Sequence, residues 1–123
     1  MLGDKQLKAF VPTLNAAKAK SFYQSILGLK LISEDNYALE FSVNGTPLRV
    51  TIVPKLNSHP FTVLGWNVPD IVSTIISLNK KNIFCERYDG MQQDALGIWT
   101  SPGGSKVAWF KDPDGNILSL TEA

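Results

Sequence analysis

Apolar positions along this chain change their period several times, and the changes divide it into recurring pieces. Between Asn15 and Gly28, the residues Ala19, Phe22, Tyr23 and Ile26 return every three or four positions, a spacing that puts them on one face of a helix. Asn15 can cap the first turn, and Gly28 can adopt the positive φ that closes a helix. A second stripe, Ile71, Val72, Ile75, Ile76 and Leu78, follows Pro69 and the capping residue Asp70 and ends at Lys80, Lys81 and Asn82. β-Branched and aromatic runs predict strands at 9–13, 29–33, 37–43, 48–53, 63–68, 83–87, 106–111 and 117–121. Each helix therefore has one strand before it and three after it.

The repetition extends to the turns. Asn44-Gly45 and Asp114-Gly115 each stand between strand-like runs, where such dipeptides supply the positive φ of a tight hairpin. The caps Asn15 and Asp70 are 55 positions apart, and the hairpin glycines Gly45 and Gly115 are 70 apart. This is the signature of an internal duplication, one module at about 5–56 and the other at about 61–123, within a single domain spanning 1–123. The second copy carries 15 extra residues, which fall in the irregular stretch 88–104. Gln92, Gln93, Asp94 and Trp99 there are candidates for a pocket rim or lid, and the competing reading is a surface excursion anchored by a tryptophan.

Composition narrows the function classes. Twelve basic residues oppose eleven acidic ones for a formal charge of +1, with no basic tract to grip nucleic acid or a membrane surface. No apolar run approaches the roughly 20 residues that span a bilayer, and the start MLGDKQLKAF carries no leader-like stretch, so a cytoplasmic location is expected. A single cysteine, Cys85, excludes an internal disulfide and reads as a buried inert thiol. His59, the one histidine, lies in a linker-like KLNSHP stretch. The DPDG run at 112–115 lacks the glycine and the bidentate glutamate of a calcium loop and reads as a turn. Glycine-rich phosphate loops and a GxSxG elbow are absent.

Two segments, SFYQSILGLKL at 21–31 and AWFKDPDGNILSL at 108–120, together with the duplicated strand-helix-three-strand units, resemble the vicinal oxygen chelate superfamily of glyoxalase I, extradiol dioxygenases and bleomycin resistance proteins. The resemblance implies an α+β fold of two tandem βαβββ modules, whose curved mixed sheets form a concave trough that holds the ligand. It also implies metal ligands on the first and fourth strands of each module, which carry over onto Lys8, Arg49, Val63 and Ser119. The intervals from Lys8 to Val63 and from Arg49 to Ser119 are again 55 and 70. None of the four is a ligand of the expected kind: ammonium and guanidinium groups have no free lone pair, valine has no donor atom, and one serine hydroxyl is weak. No divalent cofactor is expected at this quartet.

An anion reverses the argument. A carboxylate, phosphate or enolate oxygen could be held by Arg49 in a bidentate fork, with Lys8 as a second charge and Ser119 as a hydrogen-bond donor. Strand alternation adds Phe10, Pro12, Thr51, Val53, Ile117 and Thr121 to the same side. The candidate ligand-binding set is thus Arg49, Lys8, Ser119, Val63, Thr51, Trp99 and Gln93, while Trp66 and Trp109 are expected in the core between sheet and helix. The competing reading pairs Arg49 with Glu40 or Glu34 and leaves Lys8 in solvent.

The leading expectation is a metal-independent small-molecule binder, with a partly apolar or aromatic ligand whose anionic or oxygen-rich end meets Arg49. The rival is a lyase, isomerase or dioxygenase, using either a non-standard metal site that draws on Glu40, Glu122 or Asp94 or a metal-free oxyanion device. The resemblance further implies a homodimer, with no nucleic acid or membrane partner.

Overall fold

Alternation fixes the sides of the first strand. In β1 (Ala9–Thr13), Val11 and Thr13 are buried while Phe10, just before Val11, is exposed and Pro12 between them is half-buried. The computed structural model describes all of residues 1–123, and the chain forms two units, Met1–Ser58 and His59–Ala123.

In the first unit, β1 leads into helix α1 (Ala16–Lys20), which continues as a π-helical stretch, Ser21–Ile26. The Asn15 side chain accepts from the Lys18 amide at 3.1 Å, supplying the N-cap. The wider π turn, marked by Leu27 N donating to Phe22 O at 2.9 Å, places Phe22 and Tyr23 side by side in the core with Ala19. The chain returns through β2 (Lys30–Glu34), β3 (Ala38–Val43) and β4 (Thr46–Ile52). The sheet order is β1-β4-β3-β2, with β1 parallel to β4 and the other pairs antiparallel. Leu39, Phe41, Leu48 and Val50 turn inward against Tyr23 and the helix, so Glu40, Arg49 and Thr51 are left on the opposite, open face.

The second unit repeats the plan: β5 (Thr62–Asn67), α2 (Ile71–Asn79), β6 (Trp99–Thr100), β7 (Lys106–Lys111) and β8 (Ile117–Glu122), in sheet order β5-β8-β7-β6 with β5 parallel to β8. Asp70 caps α2 by accepting from the Ser73 amide at 3.1 Å. The register makes the duplication visible residue by residue. Phe10 lies beside Arg49 in the first sheet and Gly65 beside Ser119 in the second, separated by the same 55 and 70 positions as the caps and turns.

Four sequence expectations need correction. Residues 83–87 form no strand; they run past the edge of β7 and make one backbone bond to it, from Glu86 N to Trp109 O at 2.7 Å. The edge strand is instead the two-residue β6, inside the stretch expected to be irregular. In α2 only Ile71, Ile75 and Leu78 are buried, whereas Val72 and Ile76 face outward, because one sheet covers less than half of a helix surface. Finally, Trp109 is not a residue of the layer between sheet and helix. It pairs with Ser119 across the ladder and so shares Ser119's open face, while Trp66 pairs with Leu120 and stacks against buried Phe110.

The two hairpins are also built differently. Asn44 and Gly45 both have positive φ, 48° and 84°, as a two-residue turn of mirror-image type requires. At the other hairpin only Gly115 does, and the buried Asp112 organises a longer turn. Its Oδ1 accepts from the amides of Asp114 and Asn116, and its Oδ2 accepts from the Asn116 side-chain amide at 2.8 Å.

Candidate functional site

On the open face of the first sheet, cross-strand pairing sets Glu40 directly beside Arg49, and β1 brings Phe10 to Arg49's other side. Arg49 Nη1 donates to Glu40 Oε1. Lys8, one residue before β1, brings its Nζ to 3.7 Å from the same carboxylate oxygen and 5.9 Å from the centre of the Phe10 ring. Of the two partners anticipated for Arg49, it takes Glu40; Glu34 lies on the helix side and pairs with Lys20 at 2.8 Å. Lys8, left in solvent on that competing reading, joins the pair instead: the group is Lys8, Glu40 and Arg49, two positive charges around one negative, with net charge +1. Arg49 and Glu40 side chains are 30% and 24% exposed, sheltered enough for the charges to interact strongly yet open to a small molecule. The guanidinium commits Nη1 to Glu40, which leaves Nη2 and Nε as donors for a guest. Thr51, two residues on, shares this face.

The second sheet presents different chemistry at the equivalent place. Ser119 is flanked by Gly65 on β5 and Trp109 on β7. A Cβ at position 65 would lie 2.5 Å from Ser119 Oγ, so only glycine leaves that hydroxyl its room. Val63 lies at the register shift between Thr62 and Leu64 and is partly exposed, on Gly65's side by alternation. Trp99 pairs with Val107, which puts its indole on the Trp109 side with ring centres 6.3 Å apart. Tyr88 meets Trp109 edge-on at 5.7 Å, and its phenol is held above the usual value by burial first and by Glu86 second. Sequence reasoning missed Trp109 and Tyr88 here. The signal was present for Trp109, which stands at an odd offset from the buried Ala108 and Phe110.

Gln93 has another task. Its Nε2 donates to the carbonyls of Glu86 and Gly97 at 2.9 Å and its Oε1 accepts from Tyr88 N at 2.8 Å, so the whole amide is used in shaping the loop. Arg87 donates to the carbonyls of Asp94 and Gln93, and Asp94 Oδ1 accepts from the amides of Leu96 and Ile98. This is a self-bonded loop rather than a free strap. Burial raises the Cys85 thiol to about 11, with the Asp94 and Glu86 charges adding to the effect. His59 stacks on Phe61, ring centres 5.1 Å apart, in the exposed segment before β5.

A divalent metal finds no fit in these residues. No three His, Cys, Asp or Glu side chains of the chain converge. The three carboxylates considered as substitutes are engaged elsewhere: Glu40 with Arg49, Asp94 within its loop, and Glu122 with the first amide of α2 at 3.0 Å.

The sequence profile of the Glyoxalase/Bleomycin resistance protein/Dioxygenase superfamily matches residues 6–120. The chain belongs to this superfamily. A search of curated protein sequences gave no match. Among solved structures, the chain is similar to a glyoxalase family protein from Enterococcus faecalis, with TM-score 0.77 and 23% identity over 99% of this chain and 100% of the other. It is also similar to lactoylglutathione lyase from Agrobacterium tumefaciens, with TM-score 0.76 and 14% identity over 98% and 94%. The genomically encoded fosfomycin resistance protein FosX from Listeria monocytogenes gives TM-score 0.75 and 11% identity over 98% and 93%. At these identities the likeness concerns the fold, two tandem modules each built on a four-stranded mixed sheet. Superfamily membership includes both enzymes and resistance proteins, so the choice between them falls to the residues present. No helix is long and apolar enough to cross a membrane.

Proposed function

We propose that this superfamily member is a metal-independent small-molecule-binding protein whose first sheet receives an anionic or oxygen-rich group. The observation that supports this most is the convergence of Lys8 and Arg49 on one oxygen of Glu40. A carboxylate held between two cations fixes both side chains in place without cancelling both charges, so a guest oxyanion meets donors that are already oriented. A divalent cation would meet net positive charge and two groups without lone pairs. The guest's apolar portion has Phe10 beside Arg49 to lie against. We further propose that the chain acts as a homodimer in the cytoplasm.

Metal analysis of purified protein, coupled to an assay with the hemithioacetal of methylglyoxal and glutathione, tests this reading. Substoichiometric metal and no turnover are expected. One tightly held nickel, zinc or iron ion per chain with lyase turnover would overturn it.

The second reading, an enzyme without a metal, draws on the same triad. Glu40 would accept a proton from carbon next to a carbonyl, and Arg49 and Lys8 would stabilise the negative charge that forms on oxygen. Exchange of the α-proton of a 2-oxo acid with deuterated solvent, abolished in Glu40→Gln, would favour it.

A further inference from the structure

The second unit places two indoles and a phenol on the open side of its sheet, although apolar rings of that size usually find their place in the core. The contrast with Trp66 is internal: that indole lies on the core side against Phe110. Three further observations concern the surroundings of the rings. Ser119, directly across from Trp109, has a hydroxyl that makes no hydrogen bond within the chain and is therefore a donor without an acceptor. Exposed Gly65 leaves an opening beside that hydroxyl, where any side chain would collide with Oγ. Lys111 and Glu86 border the rings and neutralise each other at 3.3 Å, so the surroundings favour neither an anion nor a cation.

We infer that Trp99, Trp109 and Tyr88 form a stacking surface for an uncharged planar aromatic ring, with Ser119 donating to a carbonyl or ether oxygen on that ring system. The two indole planes are inclined at 38° with centres 6.3 Å apart, too close for a ring to enter between them, so the guest lies across their solvent side. Its oxygen then falls above Gly65, within reach of Ser119 Oγ. The inference rests on the small-molecule-binding reading of the fold but on no residue of the first unit.

The test uses 2-acetylnaphthalene, a planar ring with one acceptor, followed through the three indole N–H signals in nitrogen-15 spectra. The Trp99 and Trp109 signals are expected to shift on titration while Trp66 stays in place. 1-Cyclohexylethanone, which has the same carbonyl without the planar ring, should bind at least tenfold more weakly. Trp109→Leu should weaken the naphthyl ketone about tenfold and Ser119→Ala about threefold, as loss of one stacking partner and one neutral hydrogen bond imply. If Trp109→Leu fails to fold, Trp99→Leu on the edge strand gives the same reading. No movement of Trp99 and Trp109 up to millimolar probe, an equal response of Trp66, or equal binding of the cyclohexyl ketone would overturn the proposal. Acetate, which has no ring, reports on the first unit's cations alone, so failure of either site is seen separately.

Discussion

Glu40 changes what Arg49 and Lys8 can do. Without it, two cations at the end of one sheet would repel each other and disperse; with it, they are held at one oxygen and keep a net positive charge. Replacing Glu40 by Gln should therefore have two effects of opposite sign. Denaturant unfolding should show a loss of about 1–2 kcal/mol, the usual cost of removing a charge-assisted bond from a sheltered pair. Calorimetric titration should show tighter capture of a carboxylate, because removing the competing negative charge outweighs the orientation that Glu40 gave the two cations. Cys85 provides a second residue-level expectation. Its thiol is displaced from 9.0 to about 11, so alkylation of the folded protein by iodoacetamide should accelerate only as pH approaches 11. Between those values the folded chain retains a proton that the unfolded chain has released, so this group's contribution to stability falls as pH rises through that window.

Elements show where sequence pattern suffices and where it does not. The caps Asn15 and Asp70 were legible because capping depends on a side chain and its own next turn, and both make the expected bond at 3.1 Å. Asn15→Ala and Asp70→Ala should each cost about 1 kcal/mol in thermal or denaturant unfolding. Strand 83–87 was misread because β-branched and aromatic residues describe a surface that fits a sheet, not a partner that is present. At that edge β7 had one carbonyl bonded by Glu86 and its next residues by Trp99 and Thr100, so the run found no ladder. Trp109 was misplaced for a related reason: its size suggested the core, while its parity with buried Ala108 and Phe110 suggested the open face, and parity won. The π stretch in the first helix left no sequence signal, since Ala19, Phe22, Tyr23 and Ile26 fit an α-helical stripe equally well. At the second hairpin, Asp112→Ala should cost about 2–3 kcal/mol, because three donors lose one buried acceptor together.

At the scale of the whole molecule, the duplication carries the account. Two units with the same sheet order and helix placement diverged at the equivalent positions into a charged triad around Arg49 and an aromatic surface around Ser119. The duplication could be read from spacing, and the fold class followed from the resemblance that the segments 21–31 and 108–120 carry. The role of Glu40 could not be read, because the sequence does not reveal which of several carboxylates reaches an arginine. Light scattering at micromolar concentration is expected to give about twice the 13.5 kDa chain mass. The central claim, an oxyanion receptor that works without a metal, is tested most directly by calorimetric titration of phenylpyruvate into protein freed of metal with a chelator. Binding that persists without metal and weakens at least tenfold in Arg49→Ala agrees with the account. Binding that appears only after a divalent ion is restored, or that is indifferent to Arg49, contradicts it.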